Sequence, residues 1–132
     1  MTLFKSLCIP TLIYGMAAFK LSYELKTLTF VYNTIFVKIF KTTKIKIIEQ
    51  CQYFCEILPC WAFYELTRLV FLITVNKDVG SVKCLLSSQY DVLEFNLLCE
   101  KFNIDANDSV GSIKHKIWKY VENHVKTNAT HL

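Results

Sequence analysis

The sequence predicts an all-α fold, a small bundle of about six helices with no sheet or at most a trivial one. Three observations carry that expectation. The 132 residues include only 3 Gly and 2 Pro, too few for a sandwich or barrel, which needs turn residues roughly every ten positions. Apolar residues recur three and four apart along most of the chain, the spacing of one helical face, and do not alternate as in strands. The apolar share of 53% and the 14% aromatics are high for a small chain, so these side chains bury against one another or against something else.

The first element reads as a helix. Leu3, Leu7, Pro10, Ile13, Tyr14 and Ala17 hold helical spacing, and the run is apolar nearly all round, which predicts burial. Pro10 lacks an amide donor and should kink or restart it, and residues 17–21 form a short connector. Ser22 is placed as an N-cap with Glu24 in the first turn, where a carboxylate favours the helix dipole. The second helix then carries Leu25, Leu28, Tyr32, Ile35, Phe36, Ile39 and Phe40 on one stripe, with Lys26, Asn33, Lys38 and Lys41 off it.

Thr42 and Thr43 mark a break, and a third helix is predicted over 44–57 with Ile45, Ile48, Cys51, Cys55 and Leu58 inward and Lys46, Glu49, Gln50 and Gln52 elsewhere. Proline suits a first turn, so a fourth helix starts near Pro59 and turns Trp61, Ala62, Leu66, Leu69, Val70 and Ile73 inward. The stretch 76–81 is the clearest linker signal. A fifth helix is expected over 88–102 through Leu93, Leu97 and Leu98, then a polar loop at 103–108, then a last helix capped by Ser109 or Ser112 with Ile113, Ile117, Tyr120, Val121 and His124 or Val125 packed. The expected organisation is a four-helix region at 1–76, a polar linker at 77–87, a two-helix extension at 88–126 and a frayed tail at 127–132.

The net charge of +4 is unevenly spread: Lys5, Lys20, Lys26, Lys38, Lys41, Lys44 and Lys46 meet only Glu24 before residue 49, while acids and bases mix thereafter. A one-sided basic stretch is the footprint of a phosphate-facing surface, and an ordinary solvated helix face gives the same pattern. The six cysteines (Cys8, Cys51, Cys55, Cys60, Cys84 and Cys99) sit mostly in helical apolar runs, where a free thiol behaves as a small hydrophobe; a reduced, intracellular protein is expected. Lys5 followed by the apolar residues 6–19 imitates a signal peptide, with Pro10 and Tyr14 interrupting it. A spanning helix is not expected, because Glu65 and Arg68 fall in the middle of the longest apolar run.

Several short pieces stand in one order: Ser6-Leu7-Cys8-Ile9-Pro10 with Tyr14-Gly15, then Leu25, Leu28 and Tyr32-Asn33, then Lys38-Ile39-Phe40, then Gln52-Tyr53-Phe54 with Ile57-Leu58-Pro59, and Arg68-Leu69-Val70-Phe71-Leu72. Asp108-Ser109-Val110, Ile113-Lys114 and Ile117-Trp118 close the series. Together they resemble the C-terminal, thumb-side region that follows the palm in non-LTR (LINE-type, jockey-like) retrotransposon reverse transcriptases, over nearly the whole chain. Ala17-Ala18-Phe19 departs from the resemblance, standing where relatives often carry an acidic residue and a Trp.

The resemblance implies a piece of an RNA-directed DNA polymerase without its chemistry. Polymerase catalysis needs carboxylates converging on two metal ions, with an Asp-Asp pair in this family, and the sequence holds no such pair. No catalytic residue, metal ligand, cofactor or small-molecule substrate is expected. Cys51, Cys55 and Cys60 with His115 or His124 lack zinc-finger spacing and read as buried thiols. The resemblance places Lys20, Lys26, Lys38, Lys41, Lys44 and Lys46 near an RNA template or RNA–DNA duplex, with a palm domain as the packing partner. Tyr32, Phe36, Tyr53 and Trp61 are candidates for base stacking or, more simply, for the core. The rival expectation is a small secreted or membrane-associated helical protein with a signal-like N-terminus.

Overall fold

The computed structural model describes residues 2–13, 16–77, 89–105 and 107–129. Apart from Lys77, the expected linker at 77–87 lies outside them, as do residues 130–132. The described residues form an all-α bundle with six helices and no strand.

A π-helical turn over Phe4–Cys8 leads into α1 (Ile9–Ile13). The turn answers to Pro10. A proline ring crowds the carbonyl one turn back, and the wider π-turn makes room, with the Ile9 amide donating to the Phe4 carbonyl five residues earlier. That extra residue shifts the inward register: Phe4 and Ile9 are buried, while Leu3 and Leu7 are 73% and 62% exposed. The expected all-round burial of this element is therefore corrected. A 3₁₀ turn over Met16–Ala18 follows.

α2 (Tyr23–Phe40) begins after Ser22, whose side chain makes no capping hydrogen bond, and ends at Lys41 in the left-handed region. Its Tyr32 and Phe36 are buried, with Phe4 at 5.4 and 5.5 Å between ring centroids. α3 (Ile45–Phe54) is shorter than expected. The chain leaves it through Glu56, which takes a positive φ of 55°, so the Ile57 amide donates back to the Gln52 carbonyl at 2.9 Å. α3 packs against both α2 and the last helix. Two neighbours bury two faces, which is why Gln52, expected off the packed side, is fully buried and donates through Nε2 to Asn33 Oδ1 at 2.8 Å.

α4 (Cys60–Lys77) is the central element. One side meets the 3₁₀ turn and α2, the other meets α5 (Gln89–Phe102) and α6 (Val110–Ala129). Leu58, Ala62, Leu69 and Ile73 share a core with Leu98, Phe102, Ile104, Ile113, Ile117, Val121 and Val125. A second core joins Phe4, Ile9, Tyr32, Phe36, Ile48, Ile57 and Cys60. Leu93 and Leu97, expected inward on α5, are exposed, and Leu98 alone of the three is buried. Ser109 caps α6, its Oγ accepting from the Ser112 amide at 3.2 Å.

α4 also ties down the preceding connector with polar groups. Tyr64 Oη accepts from the Leu21 amide and donates to the Phe19 carbonyl, and Arg68 Nη1 donates to the Ala17 carbonyl at 2.9 Å. Arg68, 2% exposed, is paired with Asp91 and Glu94 of α5. The guanidinium is thus a three-way clamp between the 3₁₀ turn, α4 and α5. A buried arginine with both carboxylates in reach offsets its desolvation by charge-assisted bonds, and losing the partners would leave it stranded.

Candidate nucleic-acid interface

The α2–α3 turn collects four of the six candidate lysines. Lys38 lies in the last turn of α2, Lys41 is its C-cap, Lys44 is the N-cap of α3 and Lys46 is in the first turn of α3. All four are exposed. The backbone does the gathering, because Lys41 adopts φ 51° and ψ 39°, a left-handed conformation that reverses the chain within a few residues and normally goes to glycine or asparagine. Lys38 also sits where the carbonyl end of the α2 dipole favours a cation.

Lys20 and Lys26 stand apart. Lys20 precedes α2, and Lys26 is in its first turns, about 18 Å along the helix axis from Lys38. Both are exposed. Among the described residues, no carboxylate lies within ion-pair distance of Lys26, Lys38, Lys41, Lys44 or Lys46. Elsewhere three lysines are paired, Lys101 with Glu65 at 2.7 Å beneath the rings of Trp61, Phe102 and Tyr120, Lys116 with Asp108 at 2.6 Å, and Lys126 with Glu122 at 2.6 Å, whereas the exposed Lys114 and Lys119 of α6 have no carboxylate within ion-pair distance among the described residues. The Lys116 hydrogen bond holds the Asp108 carboxyl below its usual range, and Lys126 does the same for Glu122.

The aromatic candidates do not accompany the lysines. Tyr32 and Phe36 are buried in the core, and Tyr32 Oη donates to the Leu58 carbonyl at 2.7 Å. Burial pushes the Tyr32 phenol well above its ordinary value, with Cys60 nearby adding to the effect. Tyr53 and Trp61 pack on the core through Trp118 and Tyr120 respectively. Other aromatic side chains do face outward, among them Phe54 at the end of α3 and, on α2, Tyr23 and Phe30, the last two 75% and 74% exposed. The signal for those two lay in the sequence: helical geometry puts both roughly opposite Tyr32.

Cys51 and Cys55 are half-buried and Cys60 is buried, and all three are unbridged. Burial pushes the Cys51 and Cys60 thiols up, away from the thiolate that a metal or a nucleophilic role requires. No group of three or more metal-capable side chains converges among the described residues. A cleft of about 740 Å³ lies between α1, the α3–α4 bend and α6, lined mainly by Ile9, Ile57, Leu58, Phe63, Leu66 and Trp118. Its lining is mostly apolar but includes Lys5, Glu56 and Lys114, and none of the six candidate lysines lines it.

No family model, no curated protein and no solved structure matches the chain. No described helix is long and apolar enough to cross a membrane.

Proposed function

We propose that the chain is a non-catalytic, thumb-like piece of a LINE-type RNA-directed DNA polymerase, and that it grips nucleic acid without sequence preference through Lys38, Lys41, Lys44 and Lys46, with Lys20 and Lys26 as an outlying contact. The resemblance supplies the polymerase class, the palm as the natural packing partner and an intracellular setting. The observation that carries the grip is the α2–α3 turn. Four cations occupy nine residues of one exposed reversal, one of them on a backbone conformation that lysine adopts at a cost. A salt-bridged surface would spend such charges on neighbouring carboxylates, as Lys101, Lys116 and Lys126 do. Free ammonium groups fit phosphates as point charges, which gives affinity and salt dependence but reads no bases.

Affinity for an RNA–DNA duplex across a salt series tests this. The wild-type chain should bind at low salt with log K falling linearly against log salt, and Lys38→Ala with Lys41→Ala should flatten that slope by about two. No binding at low salt, or a slope untouched by the double variant, sinks the grip.

A further inference from the structure

The outward face of α2 is neither wholly polar nor a packed apolar stripe. Tyr23 and Phe30 are seven residues apart, so they fall within roughly 20° of one line along the helix and about 10 Å from each other. Lys26 and Lys38 flank that line by roughly 60° on either side. The opposite face is the one held in the core by Tyr32 and Phe36. Tyr23 and Phe30 are thus rigidly presented outward by an 18-residue helix, each roughly three-quarters exposed. Lys26 stands between the two rings along the axis, Lys38 lies about 12 Å beyond Phe30, and neither has a carboxylate partner among the described residues.

Large exposed rings cost solvation free energy unless something covers them. The charge beside them selects what that is. Unpaired lysines repel a basic partner and favour a polyanion, and a polyanion with flat apolar groups to lay on aromatic rings is a nucleic acid whose bases are free. A duplex offers only its phosphates and groove edges to a helix surface, because its bases are stacked on one another.

From this we infer that the outer face of α2 takes single-stranded nucleic acid, with unpaired bases stacked on Tyr23 and Phe30, the phosphates between them held by Lys26 and the continuing strand held by Lys38. This rests on the nucleic-acid reading above and sharpens it, since the lysine turn alone does not distinguish a single strand from a duplex. The roughly 10 Å between the rings is wider than one stacked base step, so the two rings hold non-adjacent bases. Neither ring makes a packing contact in the two cores, so both can be replaced without touching the fold.

The test is fluorescence anisotropy on the full chain with three labelled probes: a single-stranded RNA, an RNA–DNA duplex, and a strand of the same length with abasic sites in place of bases. Phe30→Ala and Tyr23→Ala should each weaken single-strand binding about tenfold, leave duplex binding unchanged, and be rescued by Phe30→Trp and Tyr23→Phe. The abasic strand should bind the wild-type chain about as the double Ala variant binds RNA. Lys38→Gln with Lys41→Gln should weaken all three probes. Aromatic variants that are silent, or an abasic strand bound as tightly as RNA, overturn the stacking while the lysine effect keeps the grip intact. Loss of every lysine effect, or no binding by any probe, overturns both.

Discussion

The two sides of α4 differ in how they handle charge. On the α5–α6 side most of the cations at the helix contacts are matched, Arg68 with Asp91 and Glu94, Lys101 with Glu65, Lys116 with Asp108 and Lys126 with Glu122, while Lys114 and Lys119 of α6 have no carboxylate within ion-pair distance among the described residues. On the α2–α3 side the cations stand without carboxylate partners, and large apolar side chains such as Tyr23, Phe30, Ile39, Ile45 and Phe54 are exposed. Each side has its own buried core, so the contrast is one of surfaces. A surface with most of its charges paired internally is closer to finished than one with cations and rings turned to solvent. The binding proposed above falls on α2 and α3, whereas the Arg68 clamp joins α4 to α5.

The largest expected effect tests the more fully paired side. Arg68→Ala takes the guanidinium away from Asp91 and Glu94, which are 21% and 15% exposed, and releases the Ala17 carbonyl. A cost of about 3 kcal/mol follows, with a thermal midpoint about 10 °C lower. Nucleic-acid affinity of the molecules that remain folded should not change. A loss of affinity at temperatures well below the midpoint would break the division of labour.

A smaller effect concerns the core beneath the proposed binding face. Tyr32→Phe removes the hydrogen bond to the Leu58 carbonyl and should cost about 1 kcal/mol in urea unfolding at neutral pH. The same residue sets an alkaline limit. Burial raises the Tyr32 phenol above its ordinary value of 10.0, so the folded state holds a proton that the unfolded chain gives up. That stabilisation is complete below pH 10.0 and is lost as pH climbs toward the folded value. Cys60, also raised by burial, opens the same loss from its ordinary value of 9.0. Urea midpoints measured at rising pH should therefore fall for both the wild-type chain and Tyr32→Phe above about pH 9, through Cys60, and the gap between them should narrow only above about pH 10. A parallel pair of curves would show that Tyr32 is not the titrating group.

The smallest change discriminates most sharply, because it moves stability and binding in opposite directions. Lys41→Gly relieves the left-handed strain at φ 51° and should stabilise the fold by about 0.5 kcal/mol, glycine's extra chain entropy offsetting part of the roughly 1 kcal/mol gain. Binding to an RNA–DNA duplex should weaken and lose about one unit of salt slope. If stability rises while binding holds, Lys41 is a tolerated misfit in a turn and the site contracts to its neighbours.

Much of the fold is legible along the chain. The all-α class, the helices that became α2 to α6 and the Ser109 cap follow from spacing, capping residues and the scarcity of glycine, which act within a few residues of one another. The lysine run is equally legible, since charge asymmetry needs no structure to be counted. What the pattern misjudged were faces. Leu3 and Leu7 lost their inward register to the π-turn ahead of Pro10, Gln52 was buried because α3 has neighbours on two sides, and Arg68, read as an interruption of an apolar run and as part of a resembling piece but given no structural role, became the clamp of the 3₁₀ turn, α4 and α5.

The stacking candidates show the same limit. Tyr32 and Phe36 share a stripe with leucines and so belong inside, while Tyr23 and Phe30 carry no apolar stripe of their own and escape notice until α2 is seated. Sequence by itself determined where helices form and where positive charge accumulates, because backbone preference and net charge are local sums. Only the tertiary structure decided which faces are covered, which cations keep their charge unpaired and which rings meet solvent, because those depend on how many neighbours each helix acquires.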